Sequence, residues 1–176
     1  MGKLSIRPEL SSDHGAIHHL VSEIFQQTYG SGDKEAALVE QLRLRPEYGP
    51  TISLVADMDG VVVGHVLFSA VRLVERPDIA VCALAPLGVV RQHQKQGIGS
   101  KLIRGGLQEC AQQGYQAVFV QGSLEYYTRF GFNPISRTRL QTIFKSDHDM
   151  VLELAAGVLD QASGLVDYPA PWSVFK

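Results

Sequence analysis

Gln94-Lys95-Gln96-Gly97-Ile98-Gly99-Ser100-Lys101-Leu102-Ile103 is the stretch on which the fold turns. An apolar run of strand character, residues 81–90, leads into it. A helix-patterned segment, residues 97–113, follows and stops at Gly114. Glycines at the mouth of a helix let a bulky anion approach the backbone without interference from Cβ. The first amides of that helix lack partners inside it and sit at the positive end of the macrodipole. Strand, Gln/Gly turn and helix together therefore predict a phosphate site. The spacing fits neither the Walker loop, which needs Gly-Lys-Ser/Thr after four intervening residues, nor the three-glycine dinucleotide fingerprint.

Gln-x-x-Gly-x-Gly between a strand and a helix resembles the pyrophosphate loop of the GNAT family of N-acetyltransferases, with Gln94, Gly97 and Gly99 at its three defining positions. Further on, Glu125-Tyr126-Tyr127-Thr128-Arg129-Phe130-Gly131-Phe132 resembles the family's late Tyr-x-x-x-Gly-Phe segment, with Tyr127 in the tyrosine position. The two motifs stand in the expected order, one helix and one strand apart. The resemblance extends over nearly the whole chain and looks closest to a bacterial group of predicted acetyltransferases. It implies one α/β (α+β) domain over residues 1–176. Its mixed, mostly antiparallel sheet of about seven strands would splay at the cofactor site, flanked by about four helices.

Composition agrees with one globular domain. The chain has 176 residues, 45% of them hydrophobic and 19% charged, enough to bury about two-thirds of its unfolded surface. A net charge of −2 gives no reason to expect nucleic acid or an anionic membrane as partner. No apolar run is long enough to span a bilayer, and Met-Gly-Lys-Leu-Ser-Ile lacks a signal peptide's apolar core. Cys82 and Cys110 form neither a Cys-x-x-Cys pair nor a disulfide framework, so a reducing, cytoplasmic setting is expected.

Along the chain, residues 4–7 read as a short strand ended by Pro8, and Ser11, Ser12 and Asp13 as helix caps. Ile17, Leu20, Val21, Ile24 and Phe25 then mark one helical face. Asp33 can cap a second helix that stops before Pro46. Residues 52–56 and 61–74 read as strands around an Asp57-Met58-Asp59-Gly60 turn. Residues 117–120, 132–136 and 150–155 supply further strands, with a short helix at 124–130. The tail, residues 157–176, is predicted as a loop with extended pieces at 166–168 and at Val174 and Phe175. Pro86 inside the run 81–90 cannot donate to a ladder, which predicts a bulge or a missing partner there. The resemblance implies that the pantetheine arm of acetyl-CoA enters that gap and bonds the strand edge as an added strand would.

Acetyl transfer to an amine asks for a polarised donor carbonyl, a neutral amine and a protonated leaving sulfur. By the resemblance, Gln94, Lys95, Gln96, Gly97, Ile98, Gly99 and Ser100 bind the pyrophosphate. Leu87, Val89 and Val90 meet the pantetheine and the acetyl oxygen, a small oxyanion hole. Arg91 and Lys95 are candidates for added phosphate charge. Tyr127 takes the general-acid position, with Tyr126 as the neighbour that the register leaves open. A tyrosine near pKa ~10 hands its proton more readily to a thiolate whose acid is near ~8.5 if the site favours the tyrosinate.

The amine is harder, because a lysine-like ammonium is neutral at pH 7 only once in a few thousand molecules, a deficit of about 4–5 kcal/mol. Many family members answer with a glutamate on the strand before the loop. This chain has no acid between Asp78 and Glu109. His65, Ser123 and Glu125 are the candidates for a water-mediated base. His14, His18 and His19 give a His-x-x-x-His pair without a third ligand, so no metal site is expected. In this fold the acceptor lies against the first two helices, where Glu9, Asp13, Glu23, Asp33, Glu35 and Glu40 face Lys34 alone. That balance favours a cationic amine as the unidentified acceptor. A CoA-binding sensor without turnover, and an acyltransferase using a longer donor or a hydroxyl acceptor, remain open. So does a homodimer through the apolar tail.

Overall fold

Aliphatic residues dominate positions 52–89, and there the chain folds into three successive antiparallel strands around which everything else is placed. The computed structural model describes residues 2–45 and 47–175. In chain order its elements are β1 (Leu4–Pro8), α1 (His14–Tyr29), α2 (Gly32–Leu44), β2 (Ile52–Met58), β3 (Val61–Leu73), β4 (Val81–Val89), α3 (Ile98–Gln112), β5 (Ala117–Gln121), α4 (Leu124–Thr128), β6 (Asn133–Pro134), β7 (Arg139–Gln141), β8 (Asp149–Glu153) and β9 (Ser163–Asp167). Among the described residues nine strands join in one sheet, whose main path of seven runs β1-β2-β3-β4-β5-β8-β6. β9 pairs with the far end of β3, and β7 pairs with β9. Only β4–β5 and β7–β9 are parallel. The sheet is thus mixed and mostly antiparallel, as predicted, with two short strands beyond the seven expected.

Each face of the sheet has its own core. On one face α1 lays down Ile17, Leu20 and Val21, and α2 lays down Leu38, Val39 and Leu42, all at the helical spacing read from the sequence. On the other face α3 buries Ile98, Leu102 and Ile103 against β2, β3 and β4. Full burial of one such side chain is worth roughly 1.5–3 kcal/mol, so α3 is fixed firmly behind the loop it follows. Its two central glycines differ. A Cβ on Gly106 would stand 2.1 Å from Phe68 Cε2, whereas one on Gly105 would meet Leu54 Cδ1 at 3.4 Å. Phe68 of β3 therefore lies directly on the helix backbone at Gly106.

The break foreseen at Pro86 is present. Val66 faces Leu87 and Phe68 faces Leu84, so two residues of β4, Ala85 and Pro86, stand against Leu67 alone. The parallel pairing of β4 with β5 ends at Leu84↔Val120. From Ala85 onward β4 has lost its neighbour on that side, and the two strands part.

Some local expectations change. α2 begins at Gly32 with Ser31 in the capping position, so Asp33 lies inside the first turn and does not cap it. α2 ends at Leu44, and Pro46 lies outside the described residues. Asp13 precedes α1, but its carboxylate accepts from Leu10 N (2.8 Å) and from Arg7, not from the helix amides. Val174 and Phe175 belong to a 3-10 helix, Ala170–Phe175, and are not extended. Trp172 within it is buried and donates from Nε1 to Ser69 Oγ at 3.2 Å, so the tail packs on its own domain.

Candidate functional site

The loop before α3 turns through two left-handed residues, Lys95 (φ 59°) and Gly97 (φ 80°). Gly97 adopts this conformation without steric penalty, and Lys95 is the residue that bears it. The amides of Ile98, Gly99 and Ser100 precede the first helical bond, Lys101 N to Gly97 O at 3.0 Å, and stay free for a ligand. A cleft of about 600 Å³ opens over them, lined among others by Leu87, Val89, Gln94, Lys95, Gly99 and Arg129. A Cβ on Gly99 would lie 2.8 Å from Tyr126 Oη, so the cleft floor admits glycine alone without a shift. Gln94 holds the turn by donating from Nε2 to Val89 O at 2.9 Å.

Of the predicted cofactor residues, Leu87, Val89, Gln94, Lys95, Gly97, Ile98, Gly99 and Ser100 line this cleft. Gln96 lies in the same turn, with Nε2 donating back to Gln92 O at 3.1 Å. Val90 is different: its amide donates to Val63 O at 3.0 Å and is taken up within the sheet. Strand amides alternate in direction, so the amides of Val89 and Leu87 point instead to the side that β5 has left. Arg91 is absent from the lining. Arg129 lines the cleft instead, stacked 4.5 Å over the Tyr126 ring with Nε donating to Tyr126 O at 3.2 Å. His93 joins it on the wall. Neither residue was anticipated.

The cleft runs on into a larger cavity of about 840 Å³ between the parted strands, and Leu87 and Tyr126 line both. Tyr127 lines only the larger one. Ser123 begins α4, its Oγ accepting from Tyr126 N at 3.3 Å. Gly122 leaves the space that the Tyr127 ring needs, since a Cβ there would come within 2.6 Å of it. Tyr126 and Phe132 brace the ring at centroid distances of 5.2 and 5.7 Å. Burial pushes the Tyr127 hydroxyl well above the usual tyrosine range, and the nearby tyrosines Tyr126 and Tyr29 push the same way. The site therefore disfavours the tyrosinate. Tyr127 therefore keeps its proton at ordinary pH.

His65 proves unsuited to the role of base. It is fully buried on β3, away from both cavities, and ends a polar chain. Arg43 donates to both Glu9 oxygens at 2.7 and 2.9 Å, and Ser53 Oγ donates to Glu9 Oε2 at 2.5 Å. Ser53 has a single hydroxyl proton, so it accepts from His65 Nε2 at 2.8 Å, which leaves Nδ1 bare and without a partner. Burial depresses the His65 pKa to about 4, against the pull of Glu9. Burial alone would raise Glu9, but hydrogen bonds from Arg43 and Ser53 prevail and hold its carboxyl below the usual range.

A pH effect follows. Unfolded, His65 takes a proton near pH 6.5; folded, it stays neutral to about pH 4. Stability should fall as the pH drops through that window, by roughly 3 kcal/mol at the bottom, and Glu9 acts in the same direction. Urea midpoints between pH 7 and 4.5 read this loss, and His65→Gln should flatten it. An unchanged slope in the variant would show that the loss has another source.

The other candidates scatter. Glu125 is exposed and lines neither cavity, whereas Ser123 lines the larger one. His14, His18 and His19 each lie by a separate carboxylate, of Glu9 (3.6 Å), Glu40 (2.8 Å) and Glu23 (3.7 Å). No group of three or more His, Cys, Asp or Glu that could hold a metal occurs among the described residues. Cys82 and Cys110 are buried free thiols with Sγ atoms 3.6 Å apart. No helix among the described residues is long and apolar enough to cross a membrane.

Comparison with known proteins converges on this architecture. Residues 12–132 match the acetyltransferase (GNAT) family. The Escherichia coli protein YhbS, described as an uncharacterized N-acetyltransferase, is 35% identical over 167 residues, covering 93% of this chain and 95% of YhbS. YjhQ of the same organism, described likewise, is 37% identical over 115 residues; that match spans 65% of this chain and 63% of YjhQ. Among solved structures, Escherichia coli YhbS in complex with CoA superposes with a TM-score of 0.90 at 31% identity, over all of this chain and 95% of that one. A GNAT acetyltransferase from Brucella melitensis in complex with acetyl-CoA gives 0.81 at 30% identity, over 98% and 99% of the two chains.

Proposed function

The chain belongs to the GNAT family of acetyltransferases, and on that premise we propose that it moves an acetyl group from acetyl-CoA to a primary amine by direct attack in a ternary complex. One observation carries this reading: the phosphate-type cleft over α3 opens, at Leu87 and Tyr126, into a second cavity walled by Tyr127. Donor and acceptor thus meet where the sheet parts.

Acetyl-CoA, when bound, supplies a thioester carbonyl open to attack. The amides of Ile98, Gly99 and Ser100 receive the pyrophosphate, helped by the α3 macrodipole and by the cations of Lys95 and Arg129. Leu87 and Val89 offer edge amides to the pantetheine, and one of them reaches the acetyl oxygen. Tyr127 Oη gives its proton to the departing sulfur as the C–S bond breaks, and the proton lost by the attacking nitrogen returns through water to restore Tyr127. Because burial holds the phenol protonated at ordinary pH, Tyr127 starts each turnover as the donor.

Thermal unfolding tests the cofactor half. Acetyl-CoA or CoA at about a hundred times its Kd should add roughly 2.7 kcal/mol, which raises Tm by about 5–10 °C in a domain of this size. ATP should not. Thiol release with a panel of primary amines then tests transfer. No shift with either CoA species would remove the reading's main support.

A further inference from the structure

Glu35 stands in the wall of the larger cavity and has no part in the chemistry described above. It lies in the first turn of α2, is only 8% exposed, and accepts one hydrogen bond, from Ser31 Oγ to Oε1 at 2.8 Å. Its other oxygen, Oε2, is buried without a partner. The helix dipole favours a carboxylate in this turn, but it does not satisfy Oε2. Among the described residues no Lys, Arg or His is within ion-pair distance of it. A buried carboxylate oxygen left bare is a costly arrangement, and the residue that carries it lines the larger cavity.

The rest of the wall indicates what would satisfy it. Among the described residues Glu35 is the only acid in the lining, which contains neither Lys nor Arg and a single histidine, His148. Aromatic rings make up much of the remainder, Phe25, Tyr29, Phe144, Tyr168 and Trp172 among them. Tyr168 packs against Phe144 at 5.3 Å and against Trp172 at 5.0 Å, so these faces are rigidly set. An electron-rich ring face attracts a cation, and desolvation strengthens that attraction. A carboxylate with an unsatisfied oxygen, aromatic walls and no Lys or Arg together select a positive nitrogen on an apolar body. An anion would meet Glu35 with neither Lys nor Arg to receive it, and a neutral ligand would leave the carboxylate's charge unmatched.

We propose that Glu35 is the acceptor-recognition residue, and that the acceptor enters as an organic ammonium ion whose charge lies toward the Glu35 carboxylate while its apolar body rests on the aromatic wall. This rests on the larger cavity being the acceptor side, but its test needs neither donor nor turnover.

Trp172 is the only tryptophan of the chain and lies in the wall, so its fluorescence reports on occupancy. The probes are benzyltrimethylammonium, a permanent cation that cannot be acetylated, and neopentylbenzene, its neutral carbon isostere. The cation should give a saturable change in the wild type and bind at least 10-fold more tightly than the isostere. Glu35→Gln should weaken the cation at least 10-fold, leave the isostere unchanged, and keep the thermal shift with acetyl-CoA. Three results would each overturn the assignment: no response to the cation, equal binding of the two probes, or no effect of Glu35→Gln. The comparison of probes on the wild type stands even if the variant folds poorly. Loss of the assignment with the acetyl-CoA shift intact would leave the acetyltransferase reading standing, and absence of that shift would strike the reading itself.

Discussion

Tyr127→Phe should lower kcat by about 10²–10³-fold, the usual contribution of a positioned general acid, while acetyl-CoA still raises Tm as in the wild type. The substitution removes one oxygen and keeps the ring, so the contacts with Tyr126 and Phe132 persist. A loss confined to kcat would mark an interaction made as the sulfur leaves. Tyr126→Phe provides the control, because Tyr126 lines both cavities and lies beside Gly99. If Tyr126→Phe lost kcat and Tyr127→Phe did not, the acid would belong to the neighbouring position. Burial also determines the pH profile. With its pKa raised, Tyr127 stays protonated through the alkaline range, so it cannot produce a fall in activity near pH 8. Such a fall would belong to another group.

Gly106→Ala should be the most damaging single methyl in the molecule's second core. The new Cβ would lie 2.1 Å from Phe68 Cε2 and 2.5 Å from Cζ, so the ring or the helix must move. Overpacking of this kind costs about 1–3 kcal/mol, which lowers Tm by about 2–12 °C in a domain of this size. Gly105→Ala, one residue earlier, meets only Leu54 Cδ1 at 3.4 Å and Ile6 Cγ2 at 3.5 Å. There the gain in helix propensity, roughly 0.5–1 kcal/mol, should prevail. Calorimetry of the two variants side by side decides the matter. Similar Tm values would mean that Phe68 yields without cost. α3 carries the free amides at its N-terminus, so a helix displaced at Gly106 should also weaken the acetyl-CoA shift.

Local features were legible from the residues. Gln94, Gly97 and Gly99 placed the turn, and Pro86 placed the break in β4, because each acts through its own backbone geometry. Long-range features were not. Val90 was assigned to the cofactor because it adjoins the loop, but which way its amide points depends on its register with Val63. Arg129 stands inside the Tyr-x-x-x-Gly-Phe motif, but its place in the cleft rests on its contacts with Tyr126, which the motif does not specify. His65 is a candidate base by residue type, but it is buried and bound into a polar chain that joins residues as distant as Glu9, Arg43 and Ser53. The tail was read as extended at Val174 and Phe175. The indole of Trp172, reaching Ser69 from the far end of the chain, seats it in a short helix instead.

That tail has a consequence for how such a protein could diversify. The segment that matches the family ends at Phe132, and the donor cleft lies wholly within it. Phe144, Tyr168 and Trp172 lie beyond it, on a loop and on a terminal turn that pack against the larger cavity. The donor-type cleft therefore draws on the matched stretch alone, whereas the larger cavity draws on both, with Phe25, Tyr29 and Glu35 inside the match and Phe144, Tyr168 and Trp172 outside it. Variation in the roughly forty residues past the match can thus reshape part of one cavity's wall and leave the loop before α3 as it is.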